Sequence, residues 1–227
     1  MLGVVVAAAV AALPSEGLAT RAPAGVVLVD LRGHVVGHLG AFRLDEVAEP
    51  ARRPREVLLR KGSVSYAVGR NGVRPVPRLR GGWPRTAAGC HPGPAPFTIC
   101  GYPWSLRARP STVYLHGRKM LGRRGGYWRS VELSPDRKTL LLQWSGECES
   151  QTAYLARADG RGLRAAATAE SVALGWTRSG RAVVDLPRGA CAGAARRPGI
   201  YLVDPRTRHA AFVYRGHGRL WGSAFAR

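Results

Sequence analysis

Short apolar runs separated by polar, glycine-containing turns occupy most of the chain. The stretch "VELSPDRKTLLLQWSGEC", Val131 to Cys148, has a polar turn, an apolar run of strand length, and a glycine-containing loop that ends in cysteine. The same order returns in "WTRSGRAVVDLPRGAC" from Trp176, at a constant offset of 43 residues that lays Ser134 on Thr177, Leu141 on Val184 and Cys148 on Cys191. After each loop comes a second strand-like run closing in an acidic turn, "AYLARADGRG" at Asp159 and "GIYLVDPRTR" at Asp204. Apolar runs this short, bounded by turn residues, predict strands and not helices.

The hairpin half of the unit recurs upstream. "GVVLVDLRGHVV" turns near Asp30, "SVSYAVGRNGVRPV" near Arg70 and "STVYLHGRKML" near His116, so successive turns lie 40, 46, 43 and 45 residues apart. A period of about 40 to 50 residues with four strands per repeat is the signature of propeller blades. The expected fold is therefore all-β: a β-propeller of about five blades over residues 25–227. A sheet with two apolar faces cannot hide them alone, so neighbours must pack around an axis. The first hairpin, Gly25 to Gly40, has no partner strands before it, while the chain ends in the alternating "RLWGSAFAR". The C-terminal strand is expected to join that hairpin and close the ring, with a fourth strand for the blade unaccounted for.

Composition fits this picture. In 227 residues there are 29 glycines and 16 prolines, and 45% of the residues are hydrophobic, which suits many short strands in a globular domain. The formal net charge is +21. Nearly all of it is arginine, the lysines being Lys61, Lys119 and Lys138, and it is distributed along the chain without a basic helix or arm. Nucleic acid is accordingly not the expected partner.

Residues 1–19 read as a signal-like segment. Leu2 to Leu13 are apolar, Pro14 follows, and Gly17 and Ala19 stand where a cleavage site would, although no basic residue precedes the run. The run is too short to span a bilayer. Cys90, Cys100, Cys148 and Cys191 show no CxxC spacing, which disfavours a zinc ribbon or redox motif and favours disulfides in an extracytoplasmic compartment.

"LSPDRKTLLL" resembles the "SPDGK" blade motif of the WD40-like propellers of the TolB group of bacterial envelope proteins. Arg137 stands where that motif has glycine; the second copy keeps Gly180 and lacks the proline and aspartate. The resemblance is good over about Tyr127 to Val213 and implies a propeller, mostly a binding platform. Equivalent positions in adjacent blades then place Cys148 and Cys191 in neighbouring loops of one rim, and the expected bridges are Cys148–Cys191 and Cys90–Cys100.

Chemistry is sparse. No GxSxG elbow, P-loop or dinucleotide fingerprint occurs. His34 and His38 are expected on one side of a strand, but no metal site is assigned, and no cofactor. Asp30, Asp159 and Asp204 read as turn residues. Paired-carboxylate chemistry has few candidates, Asp136 and Asp185 among them. The preferred reading is an exported, non-catalytic propeller binding a protein, a peptide or an acidic envelope polymer through one loop rim, with Trp144, Glu147, Glu149 and Arg188 as contacts. It is expected to act as a monomer. The alternative is a propeller hydrolase or lyase acting on an extracellular sugar or lactone.

Overall fold

The computed structural model describes residues 13–45, 56–69, 72–77, 90–92, 96–101, 110–146, 150–167, 170–187 and 197–222. These residues hold strands and turns, with no helix among them. The first strands are β1 (Gly17–Ala22), β2 (Gly25–Val29) and β3 (Val35–Gly40). Next come β4 (Arg43–Leu44), β5 (Val57–Lys61), β6 (Val64–Gly69) and β7 (Gly72–Val76). They are followed by β8 (Cys90–Pro92), β9 (Phe97–Cys100), β10 (Ser111–Leu115) and β11 (Arg118–Arg123). Then β12 (Gly126–Leu133), β13 (Thr139–Gly146), β14 (Gln151–Arg157) and β15 (Arg164–Ala165) lead to β16 (Val172–Trp176), β17 (Ala182–Leu186), β18 (Gly199–Val203) and β19 (Ala210–Tyr214), and the series ends in β20 (Gly218–Trp221).

They form five four-stranded antiparallel sheets in a propeller-like set. The first has the order β20-β1-β2-β3, and the other four use consecutive strands: β4–β7 in the second, β8–β11 in the third, β12–β15 in the fourth and β16–β19 in the fifth. All five expected hairpins are present, as β2–β3, β6–β7, β10–β11, β14–β15 and β18–β19. The C-terminal strand does join the first hairpin's sheet, but through β1, which is the fourth strand missing from the sequence reading.

That strand runs across the expected boundary at residue 19. Gly17 to Ala19 lie in the sheet: Leu18 pairs with both Val29 and Leu220, and Leu18 and Ala19 are fully buried. A cut after Ala19 would divide β1. Glycine at position 17 is a steric requirement, because a Cβ there would fall 2.4 Å from Cζ2 of Trp221. The Trp221 ring fills that space and donates from Nε1 to the Pro14 carbonyl at 3.1 Å. Residues 1–12 of the signal-like segment lie outside the described residues.

The sheets pack face to face through shared apolar clusters. Leu28 and Trp221 of the first sheet meet Leu59 and Val68 of the second. Ile99 and Val113 of the third meet Leu142 and Trp144 of the fourth. Leu141 and Leu155 of the fourth meet Trp176 and Val184 of the fifth. Val183 and Ile200 of the fifth then meet Leu18 and Leu220 of the first. This explains the unbroken run in β13: successive side chains point to opposite faces, and both faces are buried, so Leu140, Leu141 and Leu142 are all apolar. One polar residue sits among them. Gln143 is satisfied by donating to the carbonyls of Trp144 and Ser171 and accepting from Ala173 N at 2.6 Å, which pins the fifth sheet to the fourth.

Cys90 and Cys100 are directly paired across β8 and β9 and are joined by the expected disulfide. The Cys148–Cys191 pair lies outside the described residues.

Candidate functional site

Strands β13 and β17 run up to the connections that carry Glu147, Cys148, Glu149, Arg188 and Cys191, none of which is among the described residues. Trp144 is. It stands in β13, paired with Trp128, and is 4% exposed, so it is a packing residue and not a loop contact. Its ring meets Trp128 edge-on at 4.8 Å, and Trp128 in turn meets Tyr154 at 5.8 Å. The Arg123 guanidinium lies 4.9 Å from the Trp144 and Tyr154 rings alike and donates from Nη1 to the Tyr154 hydroxyl. This aromatic group with its cationic cover ties the third sheet to the fourth. The sequence places Trp144 among the candidate loop contacts; the β12–β13 ladder extends two residues beyond it, to Gly146.

At the same end, β17 meets the start of β20. Asp185 Oδ1 lies 2.9 Å from His217 Nδ1, and Oδ2 accepts from Gly218 N at 3.4 Å. The carboxylate is 8% exposed and the imidazole 45%. Burial pushes the Asp185 carboxyl up from its ordinary value, against the opposing pull of His217 and Gly218 N. The arrangement orients one face of a half-exposed imidazole by a buried acid, the geometry a general base requires. It equally fastens β20 to the fifth sheet. His34 and His38 do not share a strand: His34 closes the Asp30 turn, donating its backbone N–H to Asp30 Oδ1 at 2.8 Å, and only His38 lies in β3. Among the described residues no three potential ligands gather into a metal site.

The opposite end is built from turns, and here the aspartates behave as the sequence predicts. Asp30 accepts from the backbone N–H of Arg32 and His34, Asp159 from that of Arg161, and Asp204 from those of Arg206 and Thr207. Asp136 bonds the Ser134 hydroxyl at 2.6 Å and Lys138 N at 3.1 Å. The Ser134 hydroxyl and the Lys138 N–H hold the Asp136 carboxyl below its usual value, as the Thr207 and Arg206 N–H groups do for Asp204. For Asp30, burial pushes upward but the bonds from His34 and Arg32 outweigh it.

Each of these turns also carries exposed cations. "PDRK", "ADGRG", "TRSGR" and "DPRTR" present Arg137, Lys138, Arg161, Arg178, Arg181, Arg206 and Arg208, all exposed. Strand register fixes them to one end, since Thr139 pairs with Arg157 and Ala182 with Val203. Cross-links join the turns: Ala158 N donates to Lys138 O, Arg164 Nη2 to Pro205 O, and Arg178 N to Glu16 Oε2. Arginines evenly distributed along the chain are thus gathered in space, because they occur with the repeat. The recurring basic residue in each turn motif was the signal in the sequence.

Glu132, in β12, is the carboxylate without a role. Its Oε2 is shut off from solvent with no hydrogen-bond partner, and burial pushes the group up to about 7. Its neighbourhood is apolar, since its strand partner is Leu141 and Trp176 Nε1 donates to its carbonyl at 3.3 Å.

No family model matches the chain, and no curated protein matches it. Among solved structures it is similar to one described as a puromycin hydrolase S511A mutant complexed with PGG, at 18% identity and a TM-score of 0.38. The match covers 90% of this chain and 38% of that one, so this chain spans under two fifths of the other's length.

Proposed function

We propose that the protein is an exported five-bladed β-propeller that binds an acidic partner through one rim of loops and performs no catalysis of its own. The observation that carries this reading is the split between anions and cations in the turns of the fourth and fifth sheets. There Asp136, Asp159 and Asp204 accept from turn N–H groups, Asp159 also pairing with Arg157 at 3.3 Å, while Arg161, Arg206 and Arg208 are exposed. The Cys90–Cys100 disulfide supports an oxidising compartment, where such bonds persist. The test is a titration of the disulfide-intact protein with a set of acidic polymers at low and high salt. Saturable binding that weakens as salt rises is expected; no binding to any acidic polymer at low salt overturns the reading.

The Asp185–His217 pair is the one observation that favours the hydrolase or lyase alternative. Turnover of a sugar or lactone that is lost in His217→Gln, with folding intact, would establish it.

A further inference from the structure

The basic turns have a composition that narrows the partner beyond "acidic". We infer that this face, centred on Lys138, Arg161, Arg178, Arg206 and Arg208, is a docking surface for a linear, base-free polymer of phosphate groups. The inference rests on the acidic-partner reading above and adds the face and the ligand chemistry.

The side chains argue for phosphate. Guanidinium groups are planar forks that take two oxygens of one phosphate, and four of the five named cations are arginine. The turns argue for a chain that follows a rim and not a point ligand. Arg178 sits in the turn joining β16 to β17, Arg206 and Arg208 in the turn joining β18 to β19, and Lys138 in the turn joining β12 to β13. Two sheets therefore contribute, and Arg206 lies close enough to the neighbouring sheet for its charge to help hold Asp136 ionised.

What the same turns lack excludes other partners. A folded acidic protein needs apolar or aromatic anchors at the centre of its interface. Single-stranded nucleic acid needs rings on which its bases stack. Residues 134–138, 157–161, 177–181 and 204–209 include no tryptophan, tyrosine or phenylalanine. The tryptophans of these sheets are inside: Trp128, Trp144 and Trp176 are all buried.

The geometry also shields the backbone from the ligand. The N–H groups of Lys138, Arg161, Arg206 and Thr207 are donated to the aspartate of their own turn, and in the turn without an aspartate Arg178 N donates to Glu16 Oε2 and Arg181 N to Thr177 Oγ1. Only the long side chains remain as donors, so binding should be electrostatic, side-chain-based and tolerant of polymer register.

The experiment uses long-chain inorganic polyphosphate as the probe and compares two triple variants of equal charge. Arg178→Gln/Arg206→Gln/Arg208→Gln removes three cations from this face. Arg60→Gln/Arg124→Gln/Arg215→Gln removes three exposed cations from elsewhere on the sheets. Thermal unfolding verifies that both are folded. The wild type is expected to bind with a linear dependence of log affinity on log salt. The first variant should lose at least tenfold in affinity and lower the slope by about 2, from roughly 0.7 per single-strand contact; the second should stay within threefold. Equal loss in both variants overturns the face while leaving acidic-partner binding intact. Tighter binding of poly-glutamate, or of duplex DNA at equal anion concentration, overturns the phosphate-polymer assignment alone. Failure of every polyanion to bind removes both readings.

Discussion

His217 and Asp185 come from different sheets, and their side chains meet at 2.9 Å between Nδ1 and Oδ1 where β20 begins. Because Asp185 is buried, removing the imidazole leaves a carboxyl group with only the long bond from Gly218 N. His217→Ala is expected to cost about 1 to 2 kcal/mol, the lower part of the range for hydrogen bonds to charged groups, since the imidazole is half exposed. Urea unfolding at neutral pH measures this. A value near zero would show that the pair does not fasten β20.

Glu132 predicts a pH dependence. Its folded-state value of about 7 lies above the usual 4.5, so the folded protein holds this proton more tightly than the unfolded chain does. The stability this provides is complete below pH 4.5 and is lost as pH rises through 7, a difference on the order of 3 kcal/mol. Glu132→Gln should unfold with a flatter pH profile between 5 and 8 and be the more stable of the two at pH 8. An unchanged profile would mean that Glu132 ionises as freely folded as unfolded.

Arg137 and Gly180 are 43 residues apart, at the same point of the repeated turn, and both have positive φ, 60° and 80°. A side chain costs roughly 1–2 kcal/mol in the left-handed region, while glycine gives back about half of that in unfolded-state freedom. Arg137→Gly is expected to stabilise the protein by about 0.5 kcal/mol. A thermal melt compared with that of Arg137→Ala, which keeps the strain, separates backbone relief from the loss of the charge.

Trp221 and Gly17 form a complementary pair across β20 and β1, ring against missing Cβ. Trp221→Ala should cost about 3–5 kcal/mol, as large-to-small changes at fully buried aromatic positions do. Gly17→Val should also destabilise, by overpacking against the same ring. If Gly17→Val unfolds like the wild type, the ring has another place to go.

The strand and turn pattern was legible because repetition amplifies weak local signals. One "SPDRK" is a turn; two turn-strand-loop units at the same offset, followed by matching acidic turns, establish an architecture. The aspartates were legible for the same reason, since an Asx turn involves only neighbours in sequence. β1 was not, because "GLATRA" is short and follows an apolar run, and its place depends on a strand some 200 residues away. The Asp185–His217 contact was hidden likewise: Asp185 stood out only as one of few carboxylates, and only the packing of the first sheet on the fifth brings His217 to it. Glu132 gave no signal at all, since a single carboxylate in an alternating strand reads as a solvent-facing residue.

The pairing of β20 with β1 has a consequence for biosynthesis. Translation delivers Gly17–Ala22 some 200 residues before Gly218–Trp221, so the sheet of β1 waits for its β20 edge until the strands of the other four sheets have emerged. Contacts of such long sequence separation form slowly, and until then one edge of β1 is an unpaired ladder open to other chains. Aggregation during synthesis should therefore be governed by how long that edge stays bare, and a short peptide with the β20 sequence, supplied in excess, should relieve it.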